Sequence, residues 1–125
     1  MFVCLFCKII KKENPCYKVY EDKDNLAFLD INPSAFGHTL IIPKKHFEHL
    51  LQVEKQDLQA LILAVQNTAE IIQKKLNPSG IKIIQRNGKD AGQEIGHVHF
   101  HIIPCYKKGS DKGQSLEKAV HLLTK

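Results

Sequence analysis

Three histidines alternate with apolar residues in the run His97-Val-His-Phe-His-Ile-Ile-Pro104. Side chains of a β-strand point alternately to its two faces, so a strand here would carry His97, His99 and His101 on one face. The apolar residues between them would face the core. Neighbouring histidines of this row would lie ~6.6 Å apart, which allows two of them to bind one metal ion. Valine or threonine would pack at least as well in a strand at these positions. The three histidines therefore indicate a chemical role rather than a packing role.

Two cysteines, Cys4 and Cys7, stand three residues apart near the start of the chain. A Cys-x-x-Cys pair is half of a tetrahedral zinc site and needs two more ligands from elsewhere. A thioredoxin-like redox pair is disfavoured, because that motif follows a strand and there is no room for one before Cys4. Cys16 and Cys105 stand alone, and we expect them to be ordinary thiols, buried or half-buried.

A glycine-containing loop, Asn87-Gly-Lys-Asp-Ala-Gly-Gln-Glu94, precedes the histidine run. Its backbone N–H groups could bind phosphate oxygens, and the amides of Asn87 and Gln93 could add neutral hydrogen bonds. Taken by itself, Asp30 is best interpreted as the cap of a turn before Asn32-Pro33.

The elements that must position these residues follow an α+β pattern. Short β-branched or alternating runs predict five strands, at residues 17–21, 26–29, 38–43, 81–85 and 97–104. One helical turn is predicted within residues 1–10, and a short amphipathic helix at residues 116–123. A long helix is predicted over residues 55–76, with one apolar face formed by Leu58, Leu61, Ile62, Val65, Ala69, Ile72 and Leu76. Short turns between most strands favour an antiparallel sheet with this helix on one face.

Length and composition favour one small intracellular domain. The 125 residues, 43% of them hydrophobic, can bury a core without disulfides, and residues from about 107 to 125 are expected to form a C-terminal tail. No apolar run approaches ~18 residues and no signal peptide is evident, so we expect a cytoplasmic protein without a membrane partner. The net charge of +5 favours anionic partners, although lysine pairs such as Lys44-Lys45 are more typical of solvated surface.

Together these motifs resemble the histidine-triad (HIT) family of nucleotidyl hydrolases and transferases, whose signature is His-x-His-x-His followed by two apolar residues. The similarity covers nearly the whole chain. It is carried by Cys4-Leu-Phe-Cys7, Ala27-Phe-Leu-Asp-Ile31, Gly37-His-Thr-Leu-Ile-Ile-Pro-Lys-Lys-His46, Asn87-Gly-x-x-Ala-Gly-Gln93 and His97-Val-His-Phe-His-Ile-Ile103. It implies a single HIT-like domain over residues 1–125, with an antiparallel sheet of about five strands, one long helix and a short helix at each end.

The resemblance implies that His99 attacks the α-phosphorus of a nucleotide and forms a nucleotidyl-histidine, which water then hydrolyses. Covalent catalysis of this kind divides one difficult displacement into two easier ones. His101 would contact the phosphate, and Gln93 would act near the scissile bond. Glu94 departs from the family, which often has serine or threonine there, so a hydroxyl contact is lost and only the backbone N–H can donate.

Nucleotide-binding positions follow from the same resemblance. Asp30 would bind the ribose hydroxyls, while Phe28 and Ile31 would help to form the base pocket. The phosphate would be contacted by Asn87, Gly92, Gln93, His99 and His101. His38 corresponds to a position beside the triad.

In the zinc-containing branch of the family, the metal ligands correspond to Cys4, Cys7, His46 and His97. Such a shell has no open position for water, so the zinc would be structural. It would hold the segment that presents His99, and no organic cofactor is implied. An alternative is a catalytic metal bound by His97 and His99 together.

The resemblance thus predicts an enzyme, a nucleoside phosphoramidase or dinucleoside polyphosphate hydrolase that acts on purine conjugates of the AMP or GMP type. It also implies a homodimer formed through the long helix and the strand at residues 81–85. One alternative is a zinc-organised nucleotide-binding protein with little catalysis. Another alternative is nucleic-acid binding. Only the positive charge suggests it, and the sequence contains no aromatic stacking motif.

Overall fold

A computed structural model describes residues 4–108, 113 and 115–125. Within them the chain forms three helices and five strands, with the following bounds: α1 (Leu5–Ile10), β1 (Lys18–Glu21), β2 (Asn25–Leu29), β3 (Thr39–Pro43), α2 (Lys55–Leu76), β4 (Gly80–Gln85), β5 (Phe100–Cys105) and α3 (Leu116–Leu123). Part of the predicted C-terminal connection, at residues 109–112 and 114, lies outside the described residues, as do the first three residues.

The five strands form one sheet in the order β1-β2-β3-β5-β4, and every neighbouring pair is antiparallel. The β1–β2 hairpin turns at the predicted place because Asp22 Oδ1 accepts hydrogen bonds from the backbone N–H groups of Asp24 and Asn25. These observations confirm the α+β antiparallel prediction.

Helix α2 has the predicted bounds, and it ends where Asn77 adopts the left-handed conformation with φ of 48°. Its buried side chains pack on the sheet: Leu61, Ala64, Val65, Thr68, Ile72 and Leu76. Ile62, which we predicted to lie on the same apolar face, is 48% exposed. Successive residues of a helix are turned by about 100°, so Leu61 and Ile62 cannot both face the core.

The two faces of the sheet are covered unequally. Helices α2 and α3 pack with β1, β2, β3 and β5 in the larger core. On the opposite face, α1 covers only one part, where Phe6 contacts the smaller cluster that includes Phe28 and Leu40. The remainder of this second face, which carries His101, stays open as a cleft.

The last strand begins later than predicted. We expected strand structure from His97, but β5 begins at Phe100. The preceding backbone bonds to loops instead: His97 N–H donates to Ile95 O, and Val98 N–H donates to Phe47 O at 2.7 Å. Consequently His97 is fully buried rather than lining the surface, whereas His99 and His101 keep a common face with ring centroids 5.1 Å apart.

No helix among the described residues is both long and apolar enough to cross a membrane.

Candidate active site and metal centre

A cleft of about 610 Å³ opens on the sheet face opposite α2. Phe6 of α1 and Phe28 of β2 supply apolar walls, and His99 and His101 lie on its floor beside Asp30. It therefore combines an apolar wall with a few convergent polar groups, which is typical of a small-molecule site.

The side chain of His99 is held in one protonation form by the backbone. Its Nδ1 lies 2.7 Å from His97 O, and a carbonyl oxygen can only accept, so Nδ1 carries the proton. Burial lowers the pKa of His99, while the hydrogen bond to His97 opposes that shift. The imidazole is thus neutral near pH 7, and Nε2 keeps a lone pair.

A second chain of hydrogen bonds sets the proton on His101. The backbone N–H of Ser34 donates to His38 Nδ1 at 3.0 Å, so neutral His38 must carry its proton on Nε2. That Nε2–H donates to His101 Nδ1 at 2.9 Å, and the proton of neutral His101 is left on Nε2. Burial and the neighbouring imidazoles of His99 and His38 lower the pKa of His101 to about 4. His101 is therefore a neutral N–H donor beside His99.

A separate cluster contains Cys4, Cys7, His46 and His97, whose ligand atoms all lie within 4.8 Å of one another. The thiols lie close to the imidazole Nδ1 atoms: Cys4 Sγ is 3.4 Å from that of His97, and Cys7 Sγ is 3.3 Å from that of His46. The two Nδ1 atoms are 3.1 Å apart. A tetrahedral zinc ion with ordinary bond lengths separates its ligands by about 3.3 to 3.8 Å, so the four residues fit zinc.

His97 is oriented for this role. Its Nε2–H donates to Pro43 O at 2.8 Å, which leaves the Nδ1 lone pair directed toward the thiols. His99 belongs to no such cluster among the described residues, and its own Nδ1 is bonded to a carbonyl. The geometry thus disfavours the alternative in which His97 and His99 share a catalytic metal.

A further group of possible ligands, Asp30, His38 and His101, also lies within 4.8 Å. Both nitrogens of His38 are already engaged, one with Ser34 N–H and the other with His101. Asp30 Oδ2 lies 3.6 Å from His38 Nε2. Hydrogen bonding accounts for this arrangement without a metal.

The two loop amides, Asn87 and Gln93, form hydrogen bonds within the protein. The side chain of Gln93 is buried, accepts from Gly88 N–H at 2.7 Å and donates to Glu48 O and Ile95 O. Asn87 Oδ1 accepts from Leu50 N–H. Neither residue lines the cleft, and their hydrogen bonds hold the loop in shape.

The other residues predicted to bind the nucleotide line the cleft. Gly92, Phe28 and Ile31 all line it. Asp30 lines it too, and its Oδ1 also accepts from Asn32 N–H at 2.9 Å. The turn-capping role and a ligand-binding role are therefore compatible, because Oδ2 keeps acceptor capacity.

Two contributions to the cleft escaped the sequence analysis. Leu5, Phe6 and Ile9 bring α1 to its wall. Arg86, one residue beyond β4, also lines it. The strands predicted at residues 81–85 and 97–104 were not predicted to pair with each other, so alternation from Ile84 could not place Arg86 on the histidine face.

Comparison with known proteins agrees with this geometry. The family model described as HIT domain matches residues 11–108. The chain belongs to the HIT family. It is 51% identical over 105 residues to an uncharacterized HIT-like protein from Methanocaldococcus jannaschii, covering 84% of this chain and 81% of the relative. The triad and cleft are thus those of a histidine-triad protein.

Two relatives carry names of enzymes. The adenosine 5'-monophosphoramidase of Schizosaccharomyces pombe is 40% identical over 101 residues, covering 81% of this chain and 73% of that protein. The adenylylsulfatase HINT3 of Arabidopsis thaliana is 43% identical over 101 residues, covering 81% and 51%. Among solved structures, a Zn-bound histidine triad family protein from Mycobacterium smegmatis superposes with a TM-score of 0.87 at 31% identity, covering 97% of this chain and 90% of that one.

Proposed function

We propose that this protein is a nucleotidyl hydrolase that cleaves the α-phosphorus bond of purine nucleotide conjugates, with His99 as the nucleophile. The observation that carries the proposal is the pair of fixed tautomers: His99 presents an unprotonated Nε2 beside the Nε2–H of His101. A nucleophile next to a hydrogen-bond donor suits attack on a phosphoryl group, which carries its charge on oxygen.

In the first step, His99 Nε2 forms a bond to the α-phosphorus while the bond to the leaving group breaks and the leaving group departs with the electron pair. The resulting nucleotidyl-imidazolium is stabilised because Nδ1–H still donates to His97 O. His101 Nε2–H donates to an oxygen of the phosphoryl group. A proton from solvent neutralises the leaving group.

In the second step, water attacks the phosphorus and the P–N bond to His99 breaks. The electron pair returns to Nε2, the nucleoside monophosphate is released, and the water proton passes to solvent. Nothing is oxidised or reduced, and the net reaction is hydrolysis. The same imidazole thus begins and ends neutral.

The nucleoside would lie along β2 and β3. Phe28 offers an apolar ring for the base, Ile31 is exposed at the rim, and Asp30 Oδ2 can accept from the ribose hydroxyls. These assignments agree with the position of the pocket next to His101, within the same cleft.

Zinc would be held by Cys4, Cys7, His46 and His97, where it would supply a structural cross-link rather than a Lewis acid. The four residues come from the N-cap and first turn of α1, from the loop after β3 and from the segment before β5. Because His97 O orients His99, fixing His97 also fixes the nucleophile.

The test is to combine the protein with an adenosine phosphoramidate, follow AMP release, and measure the intact mass after a quench that avoids acid. Replacing His99 with alanine is expected to lower turnover by at least about 10³-fold and to remove the nucleotidyl adduct. His121→Ala is the matched control, because His121 is an exposed histidine on α3. Tight AMP binding with neither adduct nor turnover in the wild type would identify a nucleotide-binding module instead.

A further inference from the structure

Arg86 lies directly beside the proposed nucleophile. The β4–β5 register pairs Ile84 with His101 and Gln85 with Phe100. Arg86 and His99 are the next residues along the two segments, just beyond the last paired residues, and alternation from Ile84 puts the Arg86 side chain on the face that carries His101. The chain's single arginine therefore directly follows β4, next to the segment that carries His99.

The arginine side chain reaches into the cleft over the glycine loop. Arg86 lines the cleft together with Gly92, His99 and His101. A Cβ atom at Gly92 would come within 3.0 Å of Arg86 Cδ and 3.3 Å of Nε. Glycine at position 92, with φ of +94°, thus leaves the space that the arginine side chain fills.

The charge balance of the cleft points to an anion at this position. Among the described residues that line the cleft, Arg86 is the only lysine or arginine, facing the carboxylates of Asp30 and Glu94. In the described part of the chain, neither carboxylate forms an ion pair with the Arg86 guanidinium. His99 and His101 also line the cleft. Both imidazoles are neutral, so neither can neutralise a bound phosphate.

We propose that the Arg86 guanidinium binds the non-bridging oxygens of the α-phosphate that His99 and His101 flank. This inference rests on the proposed function for the identity of the ligand. A guanidinium offers several N–H donors in a plane that matches two phosphate oxygens, and it stays charged at all relevant pH values.

The α-phosphate is favoured over the leaving group because Arg86 lines the cleft together with both His99 and His101. In the proposed mechanism, the α-phosphoryl group is the part of the substrate that contacts both His99 and His101. A leaving group lies on the far side of the phosphorus from His99 Nε2.

The experiment compares the affinity of AMP with that of adenosine, since the ratio isolates the contribution of the phosphate. Arg86→Gln is expected to weaken AMP binding by about 10-fold or more while adenosine binding changes less than about twofold. Arg86→Lys keeps the charge but loses the planar fork, so it should recover part of the AMP affinity. Lys89→Gln is the matched control, because Lys89 is exposed on the same loop and does not line the cleft. Thermal unfolding of each variant checks that the fold is kept.

Two results would overturn the inference. Equal weakening of AMP and adenosine would assign Arg86 to the nucleoside pocket. Unchanged AMP affinity in Arg86→Gln would show that Arg86 does not bind the phosphate. In an active enzyme, turnover lost only for substrates with an anionic leaving group would then assign it to the leaving group. Neither measurement of affinity needs turnover, so they decide the role of Arg86 even if the wild type proves inactive and the proposed hydrolysis fails.

Discussion

At the scale of single residues, the backbone decides what each imidazole can do. His99 and His101 have the same side chain and the same face, yet one is an acceptor at Nε2 and the other a donor. The difference arises because His99 Nδ1 meets a carbonyl, whereas His101 Nδ1 meets the N–H of His38. A division into nucleophile and donor therefore needs no acidic partner.

The lowered pKa of His101 predicts a pH dependence of stability. Its pKa is about 4 in the folded protein and ~6.5 in an unfolded chain, so the unfolded chain binds more protons between these values. The contribution of His101 to the free energy of unfolding is fully present above pH ~6.5 and is lost as the pH falls toward 4. In urea unfolding at several pH values, His101→Gln should reduce this slope, by at most about 1.4 kcal/mol per pH unit.

His121→Gln serves as the control for that series, since His121 is exposed and should leave the slope unchanged. An identical slope in wild type and His101→Gln would show that His101 titrates normally in the folded protein. That result would contradict the lowered pKa of His101, while its Nε2–H would remain a donor because both protonation forms carry that proton.

At the scale of elements, α1 is too short to be stable alone. Its six residues fall below the ~12 that an isolated helix needs, so its position depends on tertiary contacts. Phe6 packs against Phe28, and the two thiols meet His46 and His97. Because α1 also forms one wall of the cleft, its attachment links the metal centre to the nucleotide site.

Removing the thiols should therefore lower the thermal stability more than it lowers the rate of hydrolysis. The double variant Cys4→Ser/Cys7→Ser is expected to lower Tm by about 10 °C, the shift that follows if zinc stabilises the fold by about 3 kcal/mol. The rate per folded molecule should change much less. Calorimetry with metal analysis measures Tm and the zinc content, and AMP release measures the rate.

Cys105→Ser, in β5 and outside the metal cluster, is the matched control and should keep the wild-type Tm and metal content. Unchanged stability combined with abolished turnover in the double variant would instead favour a catalytic metal.

At the scale of the whole molecule, three large apolar side chains on α2 and β4 are exposed in the described part of the chain. Ile62 and Leu63 on α2 are 48% and 57% exposed, and Ile83 on β4 is 51% exposed. Strand β4 ends the sheet order, so within the described residues its outer edge pairs with no strand. Exposed apolar side chains beside an open strand edge favour association with a second copy.

We therefore predict a homodimer with twice the chain mass of 14.2 kDa. Light scattering after size exclusion should show Ile83→Asp shifting this mass toward that of one chain, because a buried carboxylate at the interface is costly. Leu51→Asp is the control, since Leu51 is 87% exposed and lies on the turn before α2. A wild-type mass of one chain would refute the prediction.

Local patterns in the sequence determined most of the helices and strands of this protein and the common face of two of its histidines. The apolar repeat of α2 predicted its bounds, and alternation predicted that His99 and His101 share a face while Phe100 packs inward. These patterns involve residues only a few positions apart in the sequence, so they can be interpreted without knowledge of the tertiary structure. The hairpin turn at Asp22 belongs to the same class.

Only the tertiary structure decided how these residues are joined, because the deciding contacts span long stretches of chain. The proton on His101 is set by His38, 63 residues away, and His97 meets Cys4 across 93 residues. Gln93 bonds to Glu48 O rather than facing the cleft. The start of β5 depends in the same way on a bond from Val98 to Phe47. Local composition determines which side chains are available, whereas the packing of distant segments determines the partner and the proton that each one receives.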